Sequence, residues 1–139
     1  MNDLFKIDSD LASLTKYVST FSSELQDSQI PIEVDSLGKK SILDAIGAAL
    51  SGSISEPNHV LIEYLKELNC PGPSVVIGNN LKTSPRFAAL ANGTAMHADD
   101  YDDTLQAQTG RFQGIHPTSP VLSALLAYSD TKKISGRQF

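Results

Sequence analysis

Apolar residues recur with a helical period along most of the chain. Leu11, Leu14, Val18 and Phe21 predict a first helix over residues 10–25, with Asp10 placed to cap its start. Leu43, Ile46 and Leu50 form one stripe, with Ile42 and Ala49 beside it, in a second helix over residues 32–52. Gly52 offers that helix a stop. Val60, Leu61, Tyr64, Leu65 and Leu68 predict a third helix over residues 57–69, with Pro57 in its first turn. The period then changes. Residues 70–73 read as a turn, residues 74–78 as a short extended run with no evident partner strand, and Asn79-Asn80 as another turn. Ser84-Pro85 opens a fourth helix filled with small residues: Ala88, Ala89, Ala91, Gly93, Thr94 and Ala95. Asn92-Gly93 inside it is a turn signal by local rules. Its Ala-rich flanks, and the close packing that Gly allows, favour continued helix. A fifth helix starts near residues 118–120 and ends near Ser129, carrying Val121, Leu122, Leu125 and Leu126. Residues 134–139 resemble the first turn of a further helix. The expected fold class is mainly α, with at most one short extended segment near residues 74–78.

Composition narrows the function. The 139 residues carry 40% hydrophobic and 19% charged side chains, which is ordinary for one globular domain. Eleven Lys and Arg against 16 Asp and Glu give a net charge of −5, the wrong sign for nucleic acid, where phosphate neutralisation drives binding. No basic amphipathic stretch and no long apolar run points to a membrane. The start, Met1-Asn2-Asp3-Leu4-Phe5, lacks the pattern of a secretory signal. Cys70 is the single cysteine, so an internal disulfide is impossible and a reducing compartment is favoured. The expected location is the cytoplasm. Cys70-Pro71-Gly72-Pro73 reads as a turn rather than as the setting of a catalytic thiol.

The candidate chemistry lies in His97-Ala98-Asp99-Asp100-Tyr101-Asp102-Asp103-Thr104, followed by His116-Pro117. Crowded carboxylates repel by a few tenths of a kcal/mol per solvated pair, about the same as an attractive pair gains, so they need a reason. Three remain open. The segment is a solvated acidic turn at a helix end. It is a divalent-metal site built from His97, Asp100, Asp103 and His116, although no fixed ligand spacing is matched. Or it is a carboxylate–imidazole pair for acid–base work, which needs His116 brought against Asp100. On a continued helix, His97, Asp100 and Thr104 would share one face. Pro117 forces extended backbone at His116 and places it by a helix N-terminus, which favours an anionic group. Arg111 is the nearest arginine. It can pair with a substrate carboxylate or neutralise the aspartates. His59 reads as a surface residue.

These residues carry a resemblance. The stretch from Ala89 to Thr104, containing Asn92-Gly93, His97 and Asp100-Tyr101-Asp102-Asp103-Thr104, is similar to the signature of the MmgE/PrpD family. His116-Pro117-Thr118-Ser119-Pro120-Val121-Leu122 resembles the family segment that follows it. Leu43-Asp44-Ala45-Ile46-Gly47 and Ser74-Val75-Val76-Ile77-Gly78 agree with two earlier pieces. The acidic signature with its His-Pro partner is specific. The other pieces alone are weak.

The resemblance implies the N-terminal part of a large helical domain over residues 1–139, with the remaining helices and a smaller α+β lid outside this chain. It implies homodimers and no iron–sulfur cluster; no cofactor and no metal are expected. Family members include 2-methylcitrate dehydratase, cis-aconitate decarboxylase and an iminodisuccinate epimerase. The implied function is a lyase, a hydro-lyase of 2-methylcitrate dehydratase type or a related decarboxylase or epimerase, acting on a small di- or tricarboxylate. Asp100, Thr104 and His116 fall at catalytic positions, and His97 and Arg111 are candidates for substrate binding. Further site residues, a lysine and a histidine, fall beyond this chain, so the chain alone is expected to be inactive. The loop between Thr104 and His116 is longer than in the decarboxylase members, so no one substrate carries over. The alternative is a non-catalytic helical fragment, or an assembly partner of a full-length relative.

Overall fold

The computed structural model describes residues 11–105, 114–136 and 138–139. The expected cap Asp10 and the loop residue Arg111 lie outside the described residues. In chain order the elements are α1 (Leu11–Glu24), a 3-10 turn (Asp27–Gln29), α2 (Ile32–Gly52), α3 (Glu56–Leu68), β1 (Ser74–Val76), β2 (Leu81–Thr83), α4 (Pro85–His97) and α5 (Thr118–Ser129). The chain is mainly helical, as its periodicity predicts. It divides into two compact units, residues 1–36 and 37–139.

The first unit holds α1 and the 3-10 turn. Its apolar stripe Leu14, Val18 and Phe21 is exposed, and Tyr17 stacks on Phe21 with ring centroids 6.4 Å apart. The Gln26 backbone N–H donates to Gln29 Oε1 at 2.7 Å and closes the turn before α2.

In the second unit α4 is the central element. Its composition explains why. Ala88, Ala91, Ala95 and Met96 are buried on it, so neighbouring elements can approach closely. Ile62 and Leu65 of α3, Val76 of β1 and Ala127 of α5 form one cluster with Ala88 and Ala91. Ala45 and Ala49 of α2 and Leu122 of α5 form a second with Ala95 and Met96. Full burial of each large side chain, such as Leu65, contributes about 1.5–3 kcal/mol.

The stripe Leu43, Ile46, Leu50 is not the face that α2 packs on α4. Leu43 is 73% exposed and Leu50 is also exposed, whereas Ala45, Ala49 and Gly52 are buried. The reason is steric. A Cβ on Gly52 would stand 2.0 Å from the backbone oxygen of Ala95, so α2 meets α4 too closely for leucines. Gly52 is therefore a contact residue rather than a left-handed helix stop.

The extended run also has a partner. Ser74, Val75 and Val76 pair antiparallel with Thr83, Lys82 and Leu81. Asn92 supports this hairpin from α4. Its Oδ1 accepts from Ile77 N at 2.8 Å and its Nδ2 donates to Val75 O at 3.0 Å. A buried amide inside a helix is thus satisfied by strand backbone, and Asn92-Gly93 stays helical. α3 ends at Asn69, whose left-handed backbone (φ 45°) caps it. Residues 134–139 form no helix among the described residues; Ser135 O closes a turn by accepting from the amides of Gln138 and Phe139.

Candidate functional site

α4 stops at His97 because the chain turns out of the helix within three residues. Asp100 takes the left-handed region (φ 56°), which aspartate tolerates better than most residues, and its amide donates to His97 O at 3.1 Å. The continued helix that would align His97, Asp100 and Thr104 does not form. Asp99 is tied elsewhere, its Oδ2 accepting from Ser51 Oγ of α2 at 2.7 Å.

After this turn the aspartates separate into distinct roles. Asp102 points inward, its side chain fully shielded from solvent. It accepts a hydrogen bond from Ser119 Oγ of α5 on Oδ2. On its other side His97 Nδ1 lies 3.0 Å from Oδ1 and 3.3 Å from Oδ2. Asp103 caps α5, accepting from Thr118 N at 3.2 Å and Thr118 Oγ1 at 2.6 Å. A carboxylate suits that helix end, which carries partial positive charge. Asp103 thereby occupies one of the amides at the helix N-terminus beside His116. The metal reading with Asp103 as a ligand is corrected accordingly: Asp102 is the aspartate that faces the histidines.

His116 enters from the loop side of α5 and lies between two carboxylates. Its Nδ1 is 3.2 Å from Asp102 Oδ1 and its Nε2 is 3.5 Å from Asp100 Oδ1. The Nδ1 contact is close but poorly directed, and this buried nitrogen has no hydrogen bond. The His97 and His116 rings meet edge to face, with centroids 4.6 Å apart and planes at 64°. The sequence candidates His97, Asp100 and His116 therefore converge. Thr104 stands at the margin, its hydroxyl making only a long 3.5 Å bond to Asp102 O. Arg111 lies outside the described residues.

A cleft of about 310 Å³ opens here, lined by Gly93, His97, Asp102, His116, Ser119 and Pro120. Its walls contain no lysine or arginine among the described residues. Asp102 and Ser119 are the two polar lining residues that sequence reasoning missed. One of four aspartates within five positions is indistinguishable from the others until the turn at Asp100 aims it inward. No spacing rule marked Ser119.

Electrostatics follow from the geometry. Burial opposes ionisation of Asp102. The hydrogen bonds from Ser119 and His97, with the charges of His97 and His116, outweigh it and hold the carboxyl below its ordinary range. His97 moves the other way. Its hydrogen bond to Asp102 raises it, partial burial opposes the rise, and the charges of Asp102 and Asp100 add to it. The pair can thus store charge as carboxylate and imidazolium, while His116 stands beside it.

The profile described as "MmgE/PrpD N-terminal domain" matches residues 14–139. Cis-aconitate decarboxylase of Homo sapiens is 31% identical over 121 residues, covering 86% of this chain and 24% of that protein. The enzyme of the same name from Mus musculus is 34% identical over 93 residues, covering 66% of this chain and 18% of that protein. A cis-aconitate decarboxylase-like protein of Aspergillus oryzae is 28% identical over 126 residues, covering 91% of this chain and 25% of that protein. The chain thus spans about a quarter or less of the length of these relatives.

Proposed function

Because the chain belongs to the MmgE/PrpD family, we propose that it supplies part of the active site of a lyase acting on a small di- or tricarboxylate. The observation that carries this reading is His116, set between Asp100 and Asp102 at 3.5 and 3.2 Å on the wall of an open cleft. An imidazole so placed moves a proton next to a substrate carboxylate, and the two aspartates orient it. Thr104 and Asp100, at the cleft margin, hold the substrate or the ring. His97, charged through Asp102, offers the substrate a cation. Proton removal next to a carboxylate builds enolate-like charge, which one imidazolium stabilises poorly. Further cations therefore come from other parts of the enzyme or from a second subunit.

Cis-aconitate is the favoured substrate, because it is named for the relatives cited above. Dehydration of 2-methylcitrate and epimerisation are the related alternatives. Action in the cytoplasm is part of this proposal, since a single cysteine suits a reducing compartment. The exposed Leu43, Leu50, Val121 and Leu125 support a second reading, in which the chain is a helical assembly partner of a full-length relative. They also support a homodimer.

The test is a chain completed with the remainder of the human relative, assayed with cis-aconitate for carbon dioxide and with 2-methylcitrate for loss of water. We expect turnover of one of them, and none from the 139-residue chain by itself. His116→Ala should lower kcat by about 10²–10⁴-fold, and His97→Ala by less. A completed, folded chain with no turnover favours the assembly reading. Activity that survives His116→Ala but not His97→Ala reverses the roles.

A further inference from the structure

The cleft carries a second kind of chemistry. His97, Asp100, Asp102 and His116 each offer a ligand atom, and these atoms all lie within 4.8 Å of one another. The tightest part is centred on Asp102 Oδ1, 3.0 Å from His97 Nδ1 and 3.2 Å from His116 Nδ1. In a tetrahedral zinc site with bonds of about 2.0–2.1 Å, neighbouring ligand atoms stand roughly 3.3 Å apart. Those two edges already have nearly that length. The two rings meet edge to face, 4.6 Å apart at their centroids, so both imidazoles stand beside the same carboxylate oxygen.

Two further observations point the same way. Ser119 holds Asp102 Oδ2 and leaves Oδ1 facing the imidazoles. Metal-binding carboxylates are commonly fixed by such a hydrogen bond to the other oxygen. His116 Nδ1 is buried with no hydrogen bond, and a buried nitrogen in that state lacks its usual compensation. A cation bound between His97, Asp102 and His116 supplies it. Asp100 is 78% exposed at its side chain and can swing the remaining distance to become the fourth ligand.

We propose that His97, Asp102 and His116, with Asp100 as fourth ligand, form a binding site for a divalent transition-metal ion of the zinc type. Two imidazoles select such ions over magnesium and calcium, which prefer all-oxygen surroundings. The histidines bind as neutral rings, each through one nitrogen. Occupancy withdraws His116 from proton transfer, so zinc acts against the chemistry proposed above; that consequence alone rests on the functional reading. Binding itself does not.

The 139-residue chain is stripped with a chelator and titrated with zinc chloride by calorimetry, while the imidazole nitrogens are followed by NMR. We expect one zinc per chain. Two of the three histidines, His97 and His116, should shift, and His59 should not. His97→Ala and His116→Ala should each weaken binding by at least about tenfold, and His59→Ala should leave it unchanged. Magnesium chloride should give no heat. Should a variant fail to fold, the wild-type resonances still decide. No saturable binding, one zinc per two chains, shifts at His59 alone, or affinity untouched by both cleft variants would overturn the site.

Discussion

Replacing Asp102 with alanine tests the centre of the site as a structural unit. Ser119 is 3% exposed, and its hydroxyl would lose its acceptor. A buried polar group left unsatisfied costs about 1–3 kcal/mol. The His97 side chain is 55% exposed, so its lost pairing adds only about 0–1 kcal/mol. Relief of repulsion from neighbouring aspartates gives back a few tenths of a kcal/mol. The expected loss is about 2 kcal/mol, or a fall of roughly 7 °C in Tm.

Both denaturant and thermal unfolding measure it, with Ser119→Ala and the double variant as companions. Removing both partners removes the unsatisfied group. The double variant should therefore fall short of the summed single effects by about 1 kcal/mol or more. The difference between wild type and Asp102→Ala also depends on pH. Asp102 is depressed below 3.8, so its contribution is present above that value and fades as pH falls through the folded value. His97 is raised above 6.5, so its contribution is full below that value and fades as pH rises through the folded value. The gap should be widest between about pH 4 and 6.5. A loss under about 1 kcal/mol, or single effects that add within about 0.5 kcal/mol, would refute the reasoning.

Gly52→Ala should destabilise by about 1–3 kcal/mol, because its Cβ would meet the backbone of Ala95, which cannot yield as a flexible side chain would; an unchanged Tm would mean that α2 shifts freely on α4. Light scattering of the chain should find dimers or larger species, since Leu43, Leu50, Val121 and Leu125 remain exposed. A monomer that persists over a wide concentration range and unfolds cooperatively would count against that expectation.

Helix limits were legible where local chemistry marks them. Pro57 and Pro85 sit in the first turns of α3 and α4, and Pro117 precedes α5. The family signature brought His97, Asp100 and His116 forward, and they do meet. What stayed hidden depends on tertiary contact. Leucines on α2 outrank alanines in any count of apolar residues, yet the alanines are buried, because α4 leaves room only for small side chains. The partner of β1 is a three-residue strand too short to show a period. Asp102 was lost among equals, since only a left-handed residue two positions earlier decides which aspartate turns inward.

Beyond the site, Leu105 and Ile115 form an antiparallel bridge, with amide-to-carbonyl bonds of 2.8 and 3.1 Å. Thr104 precedes one end of that bridge and His116 follows the other. Gly114 lets the two segments close, since a Cβ there would stand 2.5 Å from Thr104 Cγ2. The bridge works like a drawstring. The two residues on the cleft side, Thr104 and His116, keep their spacing through backbone hydrogen bonds, which do not depend on the side chains of Leu105 and Ile115.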